Sequence, residues 1–214
     1  MTTDQAFGFI DLAGYTALTD AHGDDAAATL AGRFCELARD TLSTGATLVK
    51  SIGDAVMLTS TEPVAVLDSA DRLLHACLRE PGFPVARAGV HTGSAVERDG
   101  DWFGAAVNVA ARVCALAAGH ELLITSAVAD SAQATGRVLL PRDPVQLRGI
   151  AKPVLILAVD MGEDDPHAVM DPVCRMRCDT RSAAGSLRHD DRQWWFCSLA
   201  CASLFIDDPA AYTR

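Results

Sequence analysis

The sequence predicts an α+β fold: a ferredoxin-like β-α-β-β-α-β core with extra strands and helices, followed by a small cysteine-rich metal-binding module. Three observations predict this fold. Short apolar runs alternate in that order with segments whose apolar residues recur at helical spacing. Half of the 214 residues are hydrophobic, which allows a sizeable core. Four of the seven cysteines crowd the C-terminal tail, which indicates a separate module there.

The first half of the core is predicted to contain a strand, a helix and a hairpin. Residues 6–10 are nearly all apolar and include aromatic side chains, which is typical of a buried strand. Apolar residues at helical spacing then predict a helix over residues 24–43. Residues 46–52 and 55–58 have strand composition, and the Gly53-Asp54 pair between them predicts a hairpin turn. That turn should lie next to the end of the neighbouring strand.

The second half of the core is predicted to add two helices and three strands. Residues 62–79 form a helical pattern with one apolar face, which ends where prolines follow. Residues 85–96 predict a strand. Residues 103–118 predict a helix of mostly small residues, and this composition indicates close packing against another element. Residues 121–125 and 154–159 predict further strands.

Charge and hydropathy exclude several classes of function. The chain has 28 acidic and 18 basic side chains and a formal charge of −10, which argues against a general nucleic-acid binder. No basic start is followed by an apolar segment, so we expect no secretory signal. No run is long and apolar enough to span a bilayer, so we expect no membrane partner and a cytoplasmic location.

Two carboxylates are candidates for a metal site. Asp11 ends the first strand and precedes the Gly14 turn into a helix, where free N–H groups can meet a phosphate. Asp54 lies in the hairpin turn, which should place it beside Asp11. Two such carboxylates can hold Mg²⁺ ions about 3.5–4 Å apart for in-line attack at phosphorus. Alternatively, Asp11 only caps the following helix and Asp54 is an ordinary turn residue.

Two polar side chains interrupt the helix of small residues. Asn108 and Arg112 are spaced i, i+4 and share one face of an otherwise apolar segment. Burying them without partners would be costly. An amide and a guanidinium one turn apart suit a ribose and a phosphoryl group. The alternative is a pair of hydrogen bonds across a dimer interface.

Four motifs, in this order, resemble the signatures of class III nucleotidyl cyclase catalytic domains over roughly residues 5–160. They are Phe9–Thr16, Lys50–Asp54, Gly89–Gly93 and Asp101–Arg112. The resemblance implies a homodimer with active sites at the subunit interface, which converts a nucleoside triphosphate into the 3′,5′-cyclic monophosphate and pyrophosphate. It also implies a catalytic domain over residues 1–160 and two Mg²⁺ or Mn²⁺ ions per active site.

By position, the resemblance assigns Asp11 and Asp54 to the two metal ions. Asn108 would orient the ribose, and Arg112 would stabilise charge on the α-phosphate in the transition state. Lys50 and Asp101 would read the base. The backbone of the loop that follows Asp11 would face the triphosphate, and a later segment would supply a further phosphate contact. These loop residues are Leu12, Ala13, Gly14, Tyr15 and Thr16, and the later contact is Arg148 or Lys152.

The residue types at positions 50 and 101 favour ATP over GTP. Adenine presents an acceptor at N1 and a donor at its exocyclic amine, and these match the ammonium of Lys50 and the carboxylate of Asp101. Guanine reverses the two roles, so the same pair would leave polar groups mismatched. Alternatively, Asp101 is only part of an Asp-Gly-Asp turn.

The cysteine-rich tail predicts a metal site. Cys174-x3-Cys178 and Cys197-x3-Cys201 supply four thiols, and four thiolates suit tetrahedral Zn²⁺. A segment of about 45 residues rarely folds without a disulfide or a bound metal. The metal would be structural, or it would be the input of a sensor.

The tail also resembles the YHS domain, a small metal-associated module, over residues 171–214 after a linker at residues 161–170. The resemblance implies Cys174, Cys197 and Cys201 as ligands. Cys178 is not part of the family pattern, and the fourth ligand stays open between Cys178 and His189. The family has Gly after the first cysteine, whereas this chain has Arg175.

The sequence therefore predicts an adenylate cyclase that acts on ATP and carries an accessory metal-binding tail. The alternative is a nucleotide-binding regulatory protein, or a metal-sensing protein, that has the cyclase fold and turns over little substrate. Every metal and transition-state position of the resemblance is filled in this sequence, which favours the enzyme.

Overall fold

A computed structural model describes residues 2–162 and 167–213 of the chain. One eight-stranded sheet forms the centre of the first part. Its strands are β1 (Thr2–Leu12), β2 (Thr47–Ile52), β3 (Ala55–Ser60), β4 (Ala86–Arg98), β5 (Asp101–Phe103), β6 (Leu122–Thr125), β7 (Leu139–Pro141) and β8 (Ile156–Val159). The helices of this part are α1 (Tyr15–His22), α2 (Asp24–Asp40), α3 (Pro63–Arg79), α4 (Ala105–Leu116) and α5 (Ala129–Ala134).

The sheet order is β2-β3-β1-β4-β6-β8-β7, with β5 paired to β4. β1 lies in the middle and is antiparallel to both β3 and β4. The order of β1, the helices α1 and α2, the β2–β3 hairpin, α3 and β4 confirms the predicted ferredoxin-like core within an α+β fold. The strands β5 to β8 and the helices α4 and α5 are additions to this core, and of these α4, β6 and β8 were predicted.

Several short elements were not predicted from the sequence. α1 precedes the predicted helix over residues 24–43, β5 overlaps the segment predicted as helix 103–118 at Phe103 only, and α5 and β7 follow β6. β5 and β7 have three residues each, and α5 has six, so no periodicity develops within them. The four elements are held by pairing and packing against longer neighbours.

The tail contains two small two-stranded sheets and two short helices. Its elements are β9 (Ala168–Met170), β10 (Arg177–Asp179), β11 (Gly185–His189), β12 (Arg192–Phe196), α6 (Leu199–Asp207) and α7 (Pro209–Tyr212). β9 pairs with β10, and β11 pairs with β12. Within the predicted linker 161–170, residues 163–166 lie outside the described residues, and β9 occupies the C-terminal end.

The two faces of the sheet have different neighbours because side chains alternate along each strand. On one face, residues such as Ile10 and Leu12 belong to a core formed with α2 and α3. On the other face, Phe7 packs with Ala106 and Ala110 of α4. Asp11 therefore points to the α4 side of the sheet, between two core residues that point away from it.

The small residues of α4 allow the close approach that the sequence predicted. A Cβ atom added to Gly89 of β4 would lie 2.1 Å from the backbone nitrogen of Cys114 in α4. No real Cβ tolerates that distance, so only glycine allows β4 and α4 to pack at this separation. This contact fixes α4, and with it Asn108 and Arg112, relative to the sheet.

The tail shares a hydrophobic core with α1 and α2. Leu18 of α1 and Ala27 of α2 are buried with tail residues that include Val173, Phe196 and Phe205. The backbone nitrogen of Val85 donates a 3.2 Å hydrogen bond to the carbonyl of Arg175, which joins the two parts of the chain further. Across the described ranges, no helix combines the length and hydropathy needed to cross a bilayer.

Gly89→Ala should destabilise the fold strongly, because the new methyl group meets the backbone of α4. We expect a loss of at least about 1–3 kcal/mol in the free energy of unfolding, the usual cost of overpacking. Gly32→Ala is the matched control, since Gly32 is an exposed glycine within α2 whose added Cβ has no neighbour within 4 Å. The control should gain up to about 1 kcal/mol from helix propensity. Urea unfolding of both variants measures the difference, and equal stability of the two would contradict this account of Gly89.

Candidate active site and metal centre

The structure brings the two predicted metal-binding carboxylates to one end of β1. Asp11 pairs in register with Ala55, the first residue of β3, so the β2–β3 turn lies beside it. The backbone nitrogen of Leu12 donates a 3.1 Å hydrogen bond to the carbonyl of Asp54. Burial raises the pKa of the Asp54 carboxyl, and the negative charge of Asp11 raises it further. Two carboxylates that repel each other in this way favour a cation between them.

Arg87 is a site residue that the sequence analysis missed. It lies on β4 directly opposite Asp11, and its Nε donates a 2.6 Å hydrogen bond to Asp11 Oδ1. Its Nη1 also donates to the carbonyls of Ala115 and Ala117, just where α4 ends. An arginine between apolar residues of a predicted strand is a signal that could have found it, because a buried cation needs an anionic partner.

The loop after Asp11 leads directly into α1. The backbone nitrogens of Leu12 and Ala13 are already used, since Ala13 donates a 2.9 Å hydrogen bond to the carbonyl of Val85. Gly14 adopts a left-handed φ of 74° and precedes the first residue of the helix. The N–H groups that remain to face a phosphate are those of Gly14, Tyr15 and Thr16, at the helix N-terminus.

Lys50 and Asp101, the two predicted base-reading residues, form an ion pair. Lys50 Nζ lies 2.7 Å from Asp101 Oδ1, and the side chains are each about one third exposed. The ammonium of Lys50 holds the pKa of the Asp101 carboxyl below its usual range. Asp101 begins β5 and also accepts a 2.8 Å hydrogen bond from the backbone of Trp102, which fixes its orientation.

Asn108 and Arg112 lie on the same side of α4, with Asn108 exposed and Arg112 half-buried. The segment that contains Arg148 and Lys152 passes beside this helix. A Cβ atom added to Gly149 would lie 3.6 Å from Arg112 Nη2. Arg148 and Lys152 are both exposed in this segment, on either side of the glycine that approaches Arg112.

The predicted catalytic residues thus form three separate groups within one chain. These are the Asp11–Asp54 carboxylates, the Lys50–Asp101 ion pair and the Asn108–Arg112 helix face. Among the described residues, no hydrogen bond or ion pair joins one group to another.

Three of the tail cysteines meet in one cluster. The Sγ atoms of Cys174 and Cys197 are 3.3 Å apart, and those of Cys197 and Cys201 are 3.8 Å apart. Hydrogen bonds with Cys174 and Cys197 lower the pKa of the Cys201 thiol. The structure thus brings together the three ligands that the YHS resemblance implied.

The fourth group of this cluster is His22, the last residue of α1, which the sequence analysis missed. Its ligand atom and the three sulfurs all lie within 4.8 Å of one another. Cys178 is outside this cluster, because its side chain lies on β10 with Sγ 4.0 Å from the carbonyl of Met176. His189 is also outside, with its ring packed against Phe205. No sequence spacing could identify His22, since it comes from a helix far away in the chain.

Comparisons with known proteins find adenylate cyclases among the relatives of this chain. The chain is 39% identical over 158 residues to a pH-sensitive adenylate cyclase of Mycobacterium tuberculosis, and the match covers 72% of this chain. It is 33% identical over 122 residues, 56% of this chain, to an adenylate cyclase of Streptomyces griseus. The matches span 40% and 31% of the lengths of these two relatives. No protein-family model matches the sequence.

Solved cyclase structures superpose on this chain. A structure from Silicibacter pomeroyi, described as an adenylate/guanylate cyclase/hydrolase, superposes with a TM-score of 0.67 at 25% identity. The superposition covers 74% of this chain and 97% of that one. Almost the whole of that solved chain therefore has a counterpart in this one.

Proposed function

The chain has the mixed α+β fold of solved adenylate cyclases, and on that premise we propose that it is a class III adenylate cyclase. It converts ATP into 3′,5′-cyclic AMP and pyrophosphate by two-metal catalysis at a homodimer interface, with the tail as an accessory metal-binding module. The observation that carries the proposal is the placement of Asp11 next to the turn that contains Asp54, beside the N-terminus of α1. Formation of cyclic AMP by purified protein with ATP and Mg²⁺ or Mn²⁺ tests it.

Asp11 and Asp54 fit a divalent cation because hard carboxylate oxygens are the ligands that Mg²⁺ and Mn²⁺ prefer. Metal bound there supplies Lewis-acid activation of the ribose 3′-hydroxyl and neutralises charge at phosphorus. The N–H groups of Gly14, Tyr15 and Thr16 bind phosphate oxygens at the positive end of α1.

Reaction requires the 3′-oxygen to attack the α-phosphorus in line with the leaving pyrophosphate. The bond between the 3′-oxygen and the α-phosphorus forms while the bond to the bridging oxygen of the β-phosphate breaks, and the hydroxyl proton passes to solvent. Asn108 holds the ribose in this orientation. Arg112 donates to the α-phosphoryl oxygens as their charge increases, with the cationic loop of Arg148 and Lys152 beside it.

A second copy of the chain completes the site in this proposal. The three groups of predicted site residues are separate within one chain, and this separation supports the proposal. Among the described residues, no hydrogen bond or ion pair joins the carboxylates, the Lys50–Asp101 pair and the Asn108–Arg112 face. Large apolar side chains that remain exposed, including Ile52 and Phe103, also support an interface in the region of the hairpin and β5.

One observation favours the alternative, a nucleotide-binding regulatory protein with little turnover. Arg87 neutralises Asp11 through hydrogen bonds of 2.6 and 3.3 Å, and a metal ion must share that carboxylate with the guanidinium. If Asp11 stays paired with Arg87 and does not bind a metal ion, ATP binds and little cyclic AMP forms. Binding and turnover measured on the same preparation therefore distinguish the two functions.

Asp11→Asn and Asp54→Asn should each abolish turnover, because each removes a negatively charged metal ligand. Arg112→Ala should lower kcat by about 10²–10³, the usual loss for one charge-stabilising donor, with a smaller effect on KM. Arg188→Ala is the control, since Arg188 is an exposed tail residue paired with Asp191. Cyclic AMP is quantified at saturating ATP and Mn²⁺. An unchanged kcat in the Arg112 variant would contradict its assigned role.

Lys50→Glu combined with Asp101→Ser should shift nucleotide preference from ATP toward GTP. The double change replaces the donor at position 50 with an acceptor and removes the acceptor at position 101, which disfavours adenine. The ratio of kcat/KM for ATP to that for GTP measures the shift. Each single variant is the control, since neither alone reverses the pattern. Retention of the ATP preference in the double variant would show that the base is read elsewhere.

Mixing two inactive homodimers should restore activity if the site is shared. An Asp11→Ala dimer lacks the metal ligand in both sites, and an Arg112→Ala dimer lacks the phosphate contact in both. A mixed dimer gathers both changes into one site and leaves the other intact. Random exchange of equal amounts makes about half of the dimers mixed, so activity should recover to about a quarter of wild type.

This complementation experiment requires that chains exchange, so the two variants are co-expressed with different affinity tags and mixed dimers are isolated. The control pairs Asp11→Ala with Asp54→Ala, which lie in the same group and should not complement. Isolated mixed Asp11/Arg112 dimers without activity would place the whole site within one chain and overturn the interface model.

A further inference from the structure

The four ligand atoms at the junction of tail and α1 all lie within 4.8 Å of one another, and the separations between them are close to those of a tetrahedral metal site. Zinc bonds of about 2.3 Å to sulfur and about 2.0–2.1 Å to nitrogen give tetrahedron edges of about 3.8 Å between sulfurs and about 3.6 Å between sulfur and nitrogen. Cys197 Sγ lies 3.3 Å from Cys174 Sγ and 3.8 Å from Cys201 Sγ. His22 Nε2 lies 3.7 Å from Cys197 Sγ and 3.6 Å from Cys201 Sγ.

We propose that His22 completes a Cys₃His zinc site with Cys174, Cys197 and Cys201, so that one ion joins the cysteine-rich tail to the helix that begins at the phosphate-facing loop. Three thiolates and one imidazole are a standard structural zinc set. The site depends on both parts of the chain, because the histidine comes from α1 and the thiols come from the tail. The binding of zinc is independent of the proposed cyclase activity, and only its effect on turnover rests on that function.

The backbone around the thiols is held by a buried carboxylate. Asp171 is fully buried, and its Oδ1 accepts hydrogen bonds of 2.8 and 3.3 Å from the backbone nitrogens of Val173 and Cys174. Its Oδ2 accepts a 2.8 Å hydrogen bond from the backbone nitrogen of Cys197. One side chain therefore sets the separation of the two cysteine loops, as outer-shell groups do around metal sites.

The same junction reaches the nucleotide end of α1. A Cβ atom added to Gly14 would lie 2.6 Å from Cγ of Arg175 and 3.6 Å from the carbonyl of Val173, so the first cysteine loop lies on the phosphate-facing loop. Arg175 adopts a left-handed φ of 59°, an uncommon conformation for a residue with a side chain. Its side-chain stem covers Gly14, and a glycine at that position would leave the loop uncovered.

α1 is a helix of eight residues with His22 at one end and Gly14 just before the other. A metal ion on His22 holds the C-terminal end of this helix against the tail, while Arg175 and Val173 contact the loop at its N-terminal end. Zinc at the junction therefore restricts the loop that would face the triphosphate. Removal of zinc loosens the C-terminal end of α1 and with it the loop, which makes the loop sensitive to zinc.

The metal site is tested on the full chain, reduced with a phosphine so that all thiols are free. We expect one zinc ion per chain by elemental analysis. Cobalt(II) substituted for zinc should give the visible absorption of a tetrahedral ion and thiolate-to-cobalt charge-transfer bands. Loss of an outer-shell group typically weakens metal affinity by about 10–100-fold. His22→Ala removes a ligand and should weaken zinc affinity by more than that, as measured by competition with a chromogenic chelator.

A rescue variant separates loss of a ligand from loss of fold. His22→Cys should restore zinc affinity and should raise the thiolate-to-cobalt absorption relative to wild type, because four sulfurs replace three. Cys178→Ser and His189→Ala are matched controls from the tail, and both should bind zinc with wild-type affinity. A wild-type cobalt spectrum in His22→Ala, a loss of affinity in either control, or absence of zinc from the reduced protein would each overturn the site.

The restriction of the loop is tested by hydrogen exchange with and without a strong chelator. In the wild type, chelation should increase exchange of the α1 amides and of Gly14–Thr16, and in His22→Ala the chelator should change little there. Exchange of β4 serves as the internal control and should not respond. Equal protection of α1 with and without zinc would overturn the link between the site and the loop. These readouts require no turnover, so they stand even if no cyclic AMP is formed.

Discussion

The alternation of side chains along β1 is the constraint on which the rest of the structure depends. β1 is in the middle of the sheet and pairs on both sides, so its side chains must point strictly to one face or the other. Ile10 and Leu12 fill the core under α2 and α3, which forces Asp11 to the face of α4. A shift of one residue would bury the carboxylate in the main core and expose two apolar side chains. The packing of the core therefore fixes the position of the Asp11 carboxylate.

The charge on that face is balanced by the neighbouring strands. Asp54 arrives through the β2–β3 hairpin and Arg87 through β4, and both positions follow from pairing with β1. The close contact of Gly89 with α4 then brings the carbonyls of Ala115 and Ala117 within reach of Arg87. One cation thus links the carboxylate to the end of the helix that carries Asn108 and Arg112. Each group of the candidate site is connected to the others through the sheet, although none of their polar side chains touches another group.

The sequence was sufficient for the features that repeat along the chain and insufficient for those that depend on long-range contact. The βαββαβ order, the hairpin beside the end of β1 and the close packing of α4 could be predicted, because periodicity and turn residues are local signals. The resemblance assigned Lys50 and Asp101 to the same base, but the ion pair between them was not predicted. Arg87 was missed although its apolar neighbours mark it as a half-buried cation, because only the pairing of β4 with β1 shows that Asp11 is its partner. The short elements β5, β7 and α5 were missed because three to six residues show no period.

His22 shows that the tail, although separate in sequence from residues 2–162, is packed against them. Two observations join the parts: Leu18 and Ala27 are buried in the same cluster as Phe196 and Phe205, and a histidine of α1 stands among the tail thiols. A tail tethered only by a linker would need a fourth ligand of its own, yet Cys178 faces elsewhere. With His22 as that ligand, the metal can be fully coordinated only when the tail is docked on α1. Docking of the tail and metal binding then become one equilibrium. Removal of the metal therefore acts on the loop next to Asp11.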